Sequence, residues 1–260
     1  MLAAIAALGA CVFPQTSPAR ATQSAPLLRM GDSLQTSGEA GLAVTFYQRA
    51  ADMDPKNPEP FLKLGQLLLA QGQRSEALQA FNQAEMLRPS DLTMRRQLAN
   101  GFLELGETGK ASAILQQAVN EKPEPRLYNS LGVTQDLAGD HVAAQQSYAA
   151  GLLLAPGDLT LQNNLALSYA LDKRFDEAIA AMQKVAGDAK ATPQHRQNLA
   201  LIHGLAGQDQ TAANILRLDL DDAAVKRHLS FYKKLRALPD GKEIMAALRQ
   251  QKSVIPDSEF

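Results

Sequence analysis

Residues Pro58–Asp91 read PEPFLKLGQLLLAQGQRSEALQAFNQAEMLRPSD, and the rest of the chain repeats the residue types of this stretch in steps of about 34 residues. Within it Phe61, Leu64, Gly65 and Leu68 fall at helical spacing, Gly72 interrupts, and Ala77, Phe81 and Ala84 resume the spacing until Pro89 stops it. The spacing predicts a helix, a tight turn, a second helix and a breaker. Small residues at Gly65, Ala77 and Ala84 let two helix backbones approach closely, and Phe61, Leu64, Leu68 and Phe81 fill the gaps beside them. One such hairpin leaves its apolar faces bare, so it requires neighbours of the same kind.

Those neighbours are present. One period back stand Leu27, Met30, Gly31, Leu34, Gly38, Ala43, Tyr47, Ala50 and Pro55; one period forward stand Leu98, Ala99, Phe102, Gly106, Ala111, Leu115, Ala118 and Pro123. A fourth unit arrives one residue early, with Tyr128, Leu131, Gly132, Gly139, Ala144, Tyr148, Gly151 and Pro156. A fifth carries Leu165, Ala166, Tyr169, Ala178, Met182 and Val185, and a sixth Leu199, Ala200, His203, Gly207, Ala212 and Leu216. The pattern Phe-x-x-Leu-Gly-x-x-Leu, Ala-x-x-x-Phe-x-x-Ala, Pro resembles the tetratricopeptide repeat, whose period is also about 34 residues. The resemblance implies an all-α fold, a right-handed superhelical solenoid of about six helix-turn-helix units. Two departures stand out: Gln135 occupies a column held elsewhere by Leu34, Leu68, Phe102 and Tyr169, and Lys173 replaces the turn glycine of the fifth unit.

The array spans residues 26–219, and beyond Asp219 the period fails. Asp221 and Asp222 can cap a helix and complement its dipole. Val225, Leu229, Tyr232 and Leu235 then form an apolar stripe beside Lys226, Arg227, Lys233, Lys234 and Arg236. Residues 220–251 are expected to be capping helices with one face on the last repeat, and residues 252–260 a frayed tail.

The chain opens with ten uncharged residues ending at Cys11, its single cysteine. That run is too short to span a bilayer and resembles the apolar core of a secretory signal without its basic start, which is accounted for if the true start lies upstream. Leu8-Gly9-Ala10-Cys11 resembles the bacterial lipobox, in which a thiol receives the diacylglyceryl group and small residues admit the cleaving peptidase. Residues 1–11 are therefore expected to be a signal ending in the lipidated Cys11, with an ordinary cleaved signal or a mistranslated leader as alternatives. Acyl chains contributing about 0.8 kcal/mol per buried CH₂ would hold the protein on a membrane, and residues 12–25, rich in Pro, Ser, Thr and Gln, read as a flexible tether.

No constellation of catalytic residues is visible. A net charge of −1, with no run of five like charges and no Trp, argues against nucleic acid as a partner. Gly106-Glu107-Thr108-Gly109-Lys110 lacks the first glycine and the hydroxyl residue of a phosphate loop and falls in the turn between two repeat helices. His141, His195, His203 and His228 have no partner at metal-ligand spacing, so neither metal nor cofactor is expected.

What remains is the face formed by the first helix of each unit, which in tetratricopeptide proteins lines a concave groove for a peptide. The resemblance places Arg96, Asn100, Asn129, Val133, Asp136, Asn163, Leu167, Gln197 and Leu201 there. Asn129, Asn163 and Gln197 form a ladder of amides able to donate to and accept from a peptide backbone. Val133, Leu167 and Leu201 form an apolar ladder beside it, more exposed than a lone solenoid needs. The segment His195–Gly207 with Asp219–Asp222 and the helix behind it resembles the C-terminal part of the tight-adherence (Flp) pilus assembly lipoproteins of the TadD family. That resemblance implies an outer-membrane lipoprotein that assists the pilus secretin as a pilotin does. The alternative is a general soluble scaffold or a co-chaperone-like adaptor in the cytoplasm, unrelated to pili.

Overall fold

The computed structural model describes residues 18–251, and among them every regular element is an α-helix. The chain divides into two compact units, Met1–Pro89 and Ser90–Phe260. The first holds α1 (Pro18–Thr36), α2 (Ala40–Met53), α3 (Pro58–Ala70) and α4 (Arg74–Met86), each packed on the next. Start signals are local: Asn57 accepts a hydrogen bond from the Glu59 N–H at 3.0 Å, and Pro58 occupies the first helical position, where no backbone donor is needed. Helix α1 begins at Pro18, so it takes in residues 18–25 of the expected tether, while residues 12–17 lie outside the described ones. Ala19, Arg20, Ala21 and Gln23 are good helix formers, and Ser24 and Leu28 are already buried. The lipobox-like segment, including Cys11, and the tail 252–260 lie outside the described residues.

The second unit continues with α5 (Leu92–Glu104), α6 (Thr108–Glu121), α7 (Pro125–Ala138), α8 (His141–Leu154), α9 (Leu159–Leu171), α10 (Phe175–Ala186), α11 (Pro193–Leu205) and α12 (Asp209–Leu216). Successive helices pack in pairs, and the first members α5, α7, α9 and α11 also touch one another in turn. They line one side of the stack, where the groove is expected.

Close approach within each pair follows one rule of size. An added Cβ would stand 2.4 Å from the Tyr47 ring at Gly31, 2.6 Å from Phe81 at Gly65 and 2.4 Å from Tyr148 at Gly132. Where the small residue is Ala99, Ala166 or Ala200, the residue 16 positions on is Leu115, Met182 or Leu216 instead of an aromatic. Glycine thus goes with a ring and alanine with an aliphatic chain, so that the volume at each contact is conserved. The turns also share a conformation: Gly38, Gly72, Gly106, Gly139 and Gly207 are left-handed, and Lys173 takes the same place with φ 61°. Gln135, out of place in an apolar column, accepts a hydrogen bond from Ser147 at 2.6 Å.

The end of the chain forms two helices. Asp221 caps α13 (Asp222–Arg236) by accepting from the Ala224 N–H at 2.7 Å. The helix α13 packs on α11 and α12, with Tyr232 against Gly204 and Arg236 donating to Asp209 and to the Gly204 carbonyl. Its Val225, Tyr232 and Leu235 are buried, while Lys226, Arg227, Lys233 and Lys234 are exposed. After the turn at Pro239 and Asp240, α14 (Gly241–Gln251) folds back onto α7 and α9.

Candidate functional site

Helix α14 lies over α7 and α9, and its buried side chains share a cluster with those of α11. Ile244, Met245 and Leu248 join Leu167, Leu171, Leu201 and Leu205 in one buried cluster. Burying three such side chains contributes roughly 1.5–3 kcal/mol each. The apolar ladder is therefore not open as the sequence suggests: Leu167 and Leu201 are 8% and 4% exposed, and Val133 is half-buried beside them. Packing at the start of α14 is close, since a Cβ at Gly241 would stand 2.4 Å from both His141 Nε2 and the Leu171 carbonyl oxygen. Lys173 Nζ donates to the Pro239 carbonyl at 3.3 Å, tying the preceding turn to the end of α9.

Asp136 is also not a groove contact. It is 2% exposed and sits between α7, α8 and α9. Its Oδ1 accepts from Ser168 and from His141 Nδ1, both at 2.8 Å, and its Oδ2 accepts from the Tyr148 hydroxyl at 3.0 Å. With a carboxylate as acceptor, Nδ1 is the protonated nitrogen of His141. Burial first, and then the charge of Asp136 and its hydrogen bond, push the Tyr148 phenol well above its ordinary range. This buried cluster locks three helices together, and the proximity of Ser168, His141 and Asp136 is not that of a nucleophile and its base, because Ser168 donates to the carboxylate and not to the imidazole.

The amides do form a row, but with different members and turned toward one another. Gln194 donates to Asn198 at 3.1 Å, Asn198 to Asn163 at 2.8 Å, Asn163 to Asn164 at 3.0 Å and Asn164 to Asn129 at 2.9 Å. The row crosses α11, α9 and α7, and Asn163 at 5% and Asn198 at 2% exposure are closed to a partner. Asn129 is half-buried and its NH₂ group ends the row without an acceptor among the described residues. Of the expected ladder, Asn129 and Asn163 belong to the row and Gln197 does not; Asn164, Asn198 and Gln194 complete it. The signal was there: each bond between helices joins residues 35 apart, one period plus one.

The remaining expected residues are accessible. Asn100 is exposed on α5, and Arg96 on α5 and Gln197 on α11 are half-buried. On the flank of α11, Arg196 pairs with Asp219 through both carboxylate oxygens, and that bond, against a smaller opposing effect of burial, holds the Asp219 carboxyl below its ordinary value. Of the histidines, His203 is buried with Nδ1 2.6 Å from Gln208, as a packed core imidazole would be, and His195 closes a capping box with Thr192 at the start of α11. Among the described residues no three His, Cys, Asp or Glu side chains gather as a metal site.

Family models for the tetratricopeptide repeat match residues 34–91, 68–132 and 138–195. The chain belongs to the tetratricopeptide repeat family. Its fold resembles that of a tetratricopeptide repeat protein from Parabacteroides merdae, at 18% identity and a TM-score of 0.65, over 89% of this chain and 99% of that one. It also resembles Pseudomonas aeruginosa pilF, at 13% identity and a TM-score of 0.59, over 82% of this chain and 99% of that one. YrrB, described as a tetratricopeptide protein with an unusual peptide-binding site, aligns at 20% identity and a TM-score of 0.51, over 62% of this chain and 84% of that one. At these identities the likeness is one of fold. No curated protein matches the sequence. A tetratricopeptide array is a scaffold suited to protein–protein interaction, and its members are generally not enzymes.

Proposed function

We propose that this tetratricopeptide scaffold is an outer-membrane lipoprotein, anchored through Cys11, that assists tight-adherence (Flp) pilus assembly by holding a segment of the secretin as a pilotin does. The observation that carries this reading is the union of two sequence features at opposite ends of the chain. The sole cysteine closes an N-terminal apolar run as a lipobox does, and His195–Gly207 with Asp219–Asp222 resembles the corresponding part of the pilus lipoproteins. The accessible polar positions Arg96, Asn100 and the free amide of Asn129 support contact with a peptide backbone, as guanidinium and amide groups supply donors suited to carbonyl oxygens.

The test is recovery of the secretin by tagged protein from membranes of the native host, set beside Cys11→Ser and an Arg96→Ala, Asn100→Ala double variant. Cys11→Ser should move the protein out of the membrane fraction, and the double variant should lower secretin recovery about tenfold at unchanged helix content. A wild-type protein that fractionates with the cytosol and recovers no secretin would instead identify a general soluble scaffold.

A further inference from the structure

One column of the first helices changes character along the chain: Asp32, Gln66 and Asn100 in α1, α3 and α5, then Val133, Leu167 and Leu201 in α7, α9 and α11. Stacking within the pairs is already served by other positions, such as Leu131, Ala166 and Ala200, which are buried between the helices. The apolar residues of this column therefore serve whatever lies on the face, and α14 lies there. We propose that the α7, α9 and α11 face is the site for an amphipathic helix of a protein partner, and that α14 stands in for that helix until the partner displaces it. This rests on the reading of the protein as an interaction scaffold and names the chemistry of what it binds.

The occupant defines its competitor. Ile244, Met245 and Leu248 contact the face with the spacing i, i+1, i+4, one narrow apolar stripe on a helix whose Lys242, Glu243, Ala246 and Arg249 stay exposed. A partner helix needs the same stripe, and where it passes His141 and Leu171 it needs glycine, because a Cβ does not fit there.

Three features make α14 a removable occupant rather than a fixed cap. It is 11 residues long, below the length that holds a helix in water unaided, so its order depends on docking. A link of four residues, Ala237, Leu238, Pro239 and Asp240, connects it to α13, held to the array by the Lys173 hydrogen bond. A cavity of about 20 Å³ also remains under Met245 and Leu248, bordered by Val133, Leu167 and Leu201, so a competitor with a larger side chain gains contacts that α14 does not make. Being tethered, α14 competes at an effective concentration on the order of millimolar, which masks weak helices and admits strong ones.

The test uses the full chain and a fluorescent peptide of residues 239–251, PDGKEIMAALRQQ. A Met245→Asp, Leu248→Asp variant should shed its own α14 and bind the peptide at least tenfold more tightly than the wild type does. The same peptide carrying Met245→Asp should fail to compete. A variant with its repeat helices intact that binds no better than wild type overturns the proposal. So does a wild-type dimer that the variant converts to monomer, since α14 would then belong in a second copy. Should the variant unfold, hydrogen exchange on the wild type decides: amides of Ile244–Leu248 should exchange at least a hundredfold faster than those of Leu199–Leu205, and equal protection overturns it. None of these measurements uses the secretin, so they stand or fall apart from the pilus assignment.

Discussion

In α3 one column of the repeat carries Gln66, whereas in α9 the same column carries Leu167, and among the described residues it is the second that has a helix of the chain's own laid over it. The two regions share their packing between paired helices almost position for position. What differs is the one column that stacking does not use, and that column reports what each stretch meets on its face. A repeat protein thus writes its fold in the shared positions and its contacts in the unshared ones.

The largest effect should come from breaking the shared part. At Gly132 a larger side chain would drive the Tyr148 ring off its contact and take the phenol away from Asp136, so Gly132→Leu should cost about 3–5 kcal/mol. Ala99→Gly, at the matching position of the preceding pair, should cost only about 1 kcal/mol. Urea midpoints at constant slope measure both, and equal losses would refute the size rule.

A smaller difference separates the fixed core from the covering helix. Leu216 is fully buried between helices, and Leu216→Ala should cost about 2–5 kcal/mol. Leu248→Ala should cost less than about 1 kcal/mol in global stability, because a helix that can leave limits the penalty to the free energy of its own docking. Chemical denaturation followed by far-UV circular dichroism compares the two; similar losses would make α14 part of the core.

The smallest effect belongs to the polar column. In the first unit Asp32 accepts from Lys63 and from Tyr47, both at 2.8 Å. Burial pushes the Asp32 carboxyl up, but these bonds and the Lys63 charge outweigh it and leave the group more acidic than usual. The unfolded chain then takes up this proton first as pH falls, so the contribution is whole above about pH 5 and is lost as pH drops through the folded-state value. Because both side chains are partly exposed, Lys63→Ala should lower stability by at most about 0.5–1 kcal/mol at pH 7, a difference that shrinks below pH 4. A difference that grows on acidification would contradict the assignment.

Most of the helix boundaries were legible because glycine, proline and capping residues punctuate each unit, and α3 runs from Pro58 to Ala70, just short of the interrupting Gly72. The destination of α14 was not legible. An amphipathic helix declares that one face is buried without naming its partner, although Val133, Leu167 and Leu201 already showed too much apolar surface for an array by itself. The amides failed for a different reason: Asn163 and Asn164 are adjacent, and one residue is a 100° rotation about the helix axis, so a slight error of register decides which neighbour meets which. Asp136 looked like a groove residue because position alone gave no hint that His141, Tyr148 and Ser168 would converge on it.

The amide row has one more consequence. Every NH₂ group in it points the same way, from Gln194 toward Asn129, so five small dipoles add head to tail and polarise one another. The Asn129 terminus is thereby electropositive and the Gln194 terminus electronegative. A carbonyl that reaches the Asn129 end would meet a donor sharpened by the four amides behind it, whereas the buried middle of the row offers a partner nothing.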